Sequence, residues 1–333
     1  MSLAAIDDAC DEAALRSAVQ GAAAAVATGS RANPIELASR WADALRHAVS
    51  AAVRLVPGTA ELSWAWYVSG SVARGEAAPG SDLETMLVIG DDVDEDGKAG
   101  MLARAADVHA VLDRCGIGGD ANGVLASRPR FCRRMRSWTE GITLWADDPR
   151  ADRGVVMIGL MSDSTRLAGP LDVADDALRT LTVEAVGNSH LARQALLQDA
   201  TALRAHFPSR LRIFAGQSDA VDLKRAAVDP AVKIARWAGL AAGSSSTSTL
   251  RRIDDAAGAG TLEPDDAASL RECFEWLEGF RWRTRAGFLA DGRAPSDVVS
   301  LSELAPHDRA ALRSIAREIA GISRKLRYLS SFA

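Results

Sequence analysis

Trp64-Ala65-Trp66-Tyr67-Val68-Ser69-Gly70-Ser71 and, eleven residues after Ser71, Asp82-Leu83-Glu84-Thr85-Met86-Leu87-Val88-Ile89 are the stretches that decide the fold. Trp64 to Val68 is an apolar run of strand length. It ends at Gly70-Ser71, where a backbone without a side chain can approach a ligand closely. After a turn rich in glycine and proline, a second strand is expected to open at Asp82 and run through Ile89. Strand side chains alternate, so Asp82 and Glu84 share one face while Leu83 and Thr85 take the other. Two adjacent carboxylates on a rigid face repel each other unless a cation sits between them.

Working outward, the 333 residues are 48% hydrophobic and 5% aromatic, with mean hydropathy near zero. That describes a globular chain of about two domains, and its abundant alanine favours helices. The net charge of -5 argues against general nucleic-acid binding. Cys10, Cys115, Cys132 and Cys273 match no zinc or redox spacing and read as reduced thiols. Asp7, Asp8, Asp11 and Glu12 stand where a signal peptide would be basic, and no apolar run reaches membrane-spanning length. The expectation is a cytoplasmic protein with no membrane partner.

Along the chain, alanine-rich residues 1–28 predict one or two helices ending near Gly29. Asn33-Pro34 predicts a helix start, with Leu37, Trp41, Leu45, Val49 and Val53 spaced about four apart up to Pro57-Gly58. The acidic Asp91–Gly97 loop reads as a solvated turn: it lacks the twelfth-position glutamate of a calcium loop. A helix is expected over 98–114, a glycine-rich turn over 116–123, a third strand near 123–126, and an arginine-rich amphipathic helix over 128–145. Val155-Val156-Met157-Ile158-Gly159-Leu160-Met161 reads as another strand. Beyond Gly169-Pro170 the pattern is helical: one long helix over 171–206, then helices near 222–240, 247–257, 264–290 and 306–329, with Thr247 or Ser248 as a cap. The fold class expected is an α/β (α+β) module with a short mixed sheet followed by an all-α helical bundle. The division is a helical segment at 1–33, the α/β module at 34–170 and a helical domain at 171–333.

Paired carboxylates on one strand face suit magnesium, which takes hard oxygen ligands from one or two carboxylates, phosphates and water. With two ions, one activates the attacking oxygen and the other stabilises leaving pyrophosphate. Gly70 and Ser71 would face phosphates if a helical turn starts there, and Arg74 could add a charge-assisted contact or pair with Glu76. The densest basic run, Arg128 to Arg136, has no single assignable role, and the five histidines form no ligand cluster.

Gly-Ser followed by Asp-x-Glu between two apolar strands resembles the signature of the DNA polymerase β-type nucleotidyltransferase superfamily. The longer string Gly70-Ser-Val-Ala-Arg-Gly-Glu-Ala-Ala-Pro-Gly-Ser-Asp-Leu-Glu84 is similar to the branch of the bacterial protein-PII uridylyltransferases and related nucleotidyltransferases. Met161-Ser-Asp-Ser-Thr-Arg-Leu-Ala-Gly169 is similar to a family strand end, with its arginine one position late. Asp222-Leu-Lys-Arg225, Ala235-Arg-Trp-Ala-Gly-Leu240, Ser248-Thr-Leu-Arg-Arg252 and Phe274–Arg281 resemble the group's substrate-binding helical domain. The resemblance implies transfer of UMP or AMP from an NTP to a hydroxyl, most naturally on a PII-like signalling protein. It implies Asp82, Glu84 and Asp163 as metal and catalytic residues for Mg²⁺, with Mn²⁺ as a substitute. It also implies Gly70, Ser71, Arg74, Ser81 and Lys224 as nucleotide contacts. Glu84 stands where the uridylyltransferases often carry aspartate, which bears on metal geometry. The rival readings are a small-molecule nucleotidyltransferase of the aminoglycoside type and a non-catalytic nucleotide sensor that kept the fold.

Overall fold

The computed structural model describes residues 3–28, 33–58, 62–208 and 218–330. The expected helix end near Gly29 lies outside them. The chain divides into two compact units, Met1–Leu144 with Val156–Thr182, and Trp145–Val155 with Val183–Ala333.

In the first unit, α1 (Ala4–Asp7) and α2 (Glu12–Thr28) precede α3 (Pro34–Leu55). As the sequence predicts, Asn33 caps α3 by accepting from the Ile35 N–H, and Pro34 opens the first turn, where no N–H partner is needed. Strand β1 (Trp64–Val68) runs into the short helix α4 (Gly70–Arg74), and β2 (Thr85–Ile89) returns antiparallel, pairing Trp64 with Ile89 and Val68 with Thr85. Every residue of β1 and β2 is buried, as expected of central strands covered on both faces. Helix α5 (Glu95–Arg114) is capped by Asp94, which accepts from the Gly97 N–H, so the acidic loop works as a helix start.

Strand β3 is Cys132–Arg134, parallel to β2, and not the expected 123–126 segment; α6 (Met135–Asp147) starts only after it. The expected helix over 128–145 therefore begins late: Pro129–Phe131 form only a 3₁₀ turn, and pairing of the 132–134 backbone with β2 holds those residues out of the helix. A second departure is larger. Val155–Met161 is not a strand but part of α7 (Gly154–Ser162), with Met157, Ile158 and Met161 buried and Val156 55% exposed. A short continuous apolar run has no periodicity to separate buried strand from buried helix. The fourth strand is β4 (Thr165–Ala168), antiparallel to β1, which gives the sheet order β3-β2-β1-β4.

The expected long helix over 171–206 is two helices, α8 (Ala177–Asn188) and α9 (His190–Ala202). Ser189 divides them: its backbone is extended and its hydroxyl accepts from the Ala192 N–H, an N-cap inside an otherwise helical pattern. In the second unit follow β5 (Ala220–Asp222), a π-helical turn at Lys224–Val228, and α10 (Asp229–Ala241). Then come α11 (Thr249–Gly258), capped by Ser248, α12 (Pro264–Ala290), β6 (Val298–Ser300) and α13 (Pro306–Ser330). The small β5–β6 ribbon is an addition to the helical bundle, too short to show period-two alternation. Its anchor is Asp297, bound by the buried Arg281 and Arg285, whose charges hold its carboxyl below the usual range against the opposing effect of burial.

Candidate active site

The site is built where β1 ends and the chain enters β2. Ser69 donates its N–H to the Glu84 carbonyl at 2.9 Å, fixing the two ends side by side. Asp82 and Glu84 are half-exposed, whereas Leu83 and Thr85 are fully buried, so the alternation read from the sequence places both acids on one side. The paired strand itself starts at Thr85, three residues later than expected. Leu83 pairs instead with the glycine-rich loop: its N–H donates to Gly118 O and its carbonyl accepts from the Asp120 N–H. Thr85 donates to Val124 O, and its hydroxyl accepts from the Ala126 N–H. The 118–126 loop thus clamps the backbone that carries both carboxylates. Its sequence alone suggests a simple turn; the available signal is Gly118-Gly119-Asp120, since a side chain at Gly119 would meet Leu125 Cδ2 at 2.7 Å.

Gly70 has φ +62°, and a Cβ built on it would lie 2.3 Å from Glu84 Oε2. Only glycine lets the start of α4 stand against that carboxylate. Ser71 follows, half-exposed on the same short helix.

The other expected site residues are placed differently. Arg74, expected on phosphate, has a side chain only 10% exposed and is bound at Nε to Glu76 (2.7 Å) and at Nη1 to Asp163 (2.6 Å). These two acids hold the guanidinium charged, raising its pKa although desolvation alone would lower it. Asp163, expected as the third carboxylate, is 1% exposed and engaged with Arg74. Among the described residues no three His, Cys, Asp or Glu side chains are grouped to hold a metal ion, so Asp82, Glu84 and Asp163 are not gathered as one triad. Sequence spacing could place Asp163 near a strand end but could not show that Arg74 closes on it. Ser81 is buried, and its hydroxyl accepts from the Ala78 N–H within the turn. Lys224 belongs to the second unit, where its charge acts on Asp297.

The donor set fits a hard divalent cation of the Mg²⁺ kind that takes one or two carboxylates and completes its shell with phosphate oxygens and water. Asp82 and Glu84 are accessible and share a side, and the Glu84 carboxylate abuts the bare backbone of Gly70. They do not fit a cage made entirely of protein ligands.

Two family models match. Residues 18–152 match "Putative nucleotidyltransferase DUF294", and residues 189–329 match "Putative nucleotidyltransferase substrate binding domain". The first spans the whole Gly70–Glu84 site. No curated protein matches the chain.

Proposed function

From a chain that matches nucleotidyltransferase family models over residues 18–152 and 189–329, we propose a transferase that moves a nucleoside monophosphate, UMP or AMP, from an NTP to an acceptor hydroxyl. The acceptor oxygen bonds to the α-phosphorus, the bond to the β-phosphate oxygen breaks, pyrophosphate leaves, and the hydroxyl proton passes to solvent. The observation that carries the reading is Gly70 against Glu84: a left-handed glycine conformation kept where any side chain would displace a carboxylate.

Asp82 and Glu84 would hold Mg²⁺, or Mn²⁺ in its place, which when bound supplies positive charge against the phosphate oxygens. Gly70 lets the phosphate chain approach the backbone, and the Ser71 hydroxyl donates to it. The 118–126 loop keeps Asp82 and Glu84 on one side by holding the Leu83 and Thr85 backbones. Arg74 and Asp163 tie the end of α4 to the end of α7; with its charge committed to Arg74, Asp163 is a positioning residue in this scheme. The helical second unit presents the acceptor, which we take to be a small signalling protein of the PII kind. The free thiols support a reducing, cytoplasmic setting.

The test incubates the purified protein with Mg²⁺ and each NTP labelled at the α-phosphate, with either the protein or the small-molecule fraction of a lysate. The expected result is pyrophosphate release and label on a protein, both abolished by Asp82→Asn. Label on a small molecule alone assigns the aminoglycoside-type reading. No pyrophosphate from any NTP, or transfer unchanged in Asp82→Asn, overturns the proposal and leaves the sensor reading.

A further inference from the structure

Helix α13 carries a stripe that the site above does not use. Arg313, Arg317, Arg324 and Arg327, with Ala320 between them, recur at steps of four and three, which places them along one helical face. The segment after α9 faces it. A cleft of about 560 Å³ lies between Arg204 and His206 on that segment and Arg313, Arg317 and Arg324 on α13. Its floor is apolar, formed by Phe207 with Ala316 and Ala320. A second recess of about 350 Å³ shares Arg204 and Arg324 with it and adds Arg327.

Five arginines therefore converge on connected concavities that no described Asp or Glu lines, in a chain whose net charge is -5. Several cations elsewhere in this unit meet carboxylates: Lys233 pairs with Asp199, Arg281 with Asp297, and Lys325 with Glu263 and Asp266. In the cleft the Arg313 Nε is buried with no hydrogen-bond partner among the described residues, and Arg317 Nε turns back to the Arg313 carbonyl. Like charges one helical turn apart repel, so the stripe costs stability unless an anion occupies it.

The ligand class follows from the lining. The guanidinium fork binds phosphate through paired hydrogen bonds. The volume falls in the range of small-molecule sites, and a concave recess suits a compact ligand better than a nucleic-acid backbone. The apolar floor beside the arginines fits a ring system attached to a phosphate chain. We propose that this cleft binds a nucleoside polyphosphate, with its phosphates on Arg204, Arg317 and Arg324 and its base on the Phe207–Ala320 floor. Because arginines supply the positive charge, binding needs no divalent ion. That separates this site from the one at Asp82 and Glu84.

Isothermal titration of ATP into the full chain in excess EDTA tests it. The expected result is one ATP per chain, weakening as salt rises. Arg317→Ala/Arg324→Ala lowers the affinity about a hundredfold, about tenfold for each charge-assisted hydrogen bond removed. Both residues are exposed on α13, and a melting temperature in the absence of ATP at or above that of the wild type shows that the variant folds. Arg251→Ala, an exposed arginine outside the cleft, leaves binding as it was. Inorganic tripolyphosphate displaces ATP but binds more weakly. The proposal fails if ATP does not bind in EDTA, if the double variant binds normally, or if tripolyphosphate binds as tightly as ATP. It also fails if a glutamate-rich peptide binds the cleft and ATP does not, since the site would then read an acidic protein segment.

Discussion

Replacing Gly70 by alanine separates folding from chemistry at this site. The backbone there has φ +62°, where a residue with a Cβ costs about 1–2 kcal/mol more than glycine. The new methyl would stand 2.3 Å from Glu84 Oε2 and 2.8 Å from Glu84 Cδ, whereas ordinary contact begins at 3.4 Å. The obstacle is the end of a rotatable side chain, so the clash is relieved by moving the Glu84 carboxylate and not by moving the sheet. The displacement needed is about 1 Å, and a misplacement of that size in a catalytic group lowers the rate about a hundredfold. Nucleotidyl transfer should fall by that factor. Stability should fall only by the backbone cost, readable as a shift in urea midpoint with an unchanged slope. Loss of stability in this range with transfer at the wild-type rate would refute the idea that Glu84 must stand against the α4 backbone.

Gly169→Ala is the contrasting case. Its Cβ would lie 2.2 Å from the Trp64 carbonyl oxygen and 2.8 Å from Ala65 Cα at φ +123°, against fixed strand backbone, so a loss of about 3–5 kcal/mol is expected in urea unfolding. Arg74→Met removes the guanidinium shared by the buried Asp163 and Glu76 and should cost about 3–5 kcal/mol, part of which Arg74→Met/Asp163→Leu recovers; equal melting of single and double variants would contradict the Arg74–Asp163 pairing. His109, beside Thr85 Oγ1, has its pKa pushed down by burial to about 4. The unfolded chain then binds the extra proton between its ordinary value of 6.5 and about 4, so stability falls as pH falls through that window. Relative to His109→Gln, the wild type should lose about 2 kcal/mol between pH 7 and pH 5, measured by denaturant titration.

Local chemistry made much of this fold legible. Asn33-Pro34 and Ser248 read correctly as helix starts because a cap acts over three residues, and β1 and the Thr85–Ile89 part of the second strand read correctly because two apolar runs flanked a turn. Where the sequence misled, a partner distant in the chain had decided the outcome. Val155–Met161 is equally apolar as strand or helix, and Cys132–Arg134 is drawn from a helical pattern into a strand by pairing with β2. At the site, the shared side of Asp82 and Glu84 follows from period two. The clamp by the 118–126 loop and the closure of Arg74 on Asp163 depend on contacts across 35 to 89 positions, which no local pattern encodes. The α13 arginines had their spacing in the sequence, but only the 204–207 segment opposite makes them a cleft.

Everything proposed for the site depends on Asp82 and Glu84 together holding a divalent ion beside a nucleotide at Gly70-Ser71. Electron paramagnetic resonance of Mn²⁺, titrated with a non-hydrolysable NTP analogue into wild type, Asp82→Asn and Glu84→Gln, measures this directly. Nucleotide-dependent Mn²⁺ binding is expected in the wild type, weakened at least about tenfold by either substitution while the fold is retained. Mn²⁺ bound as tightly by both variants as by the wild type would contradict it.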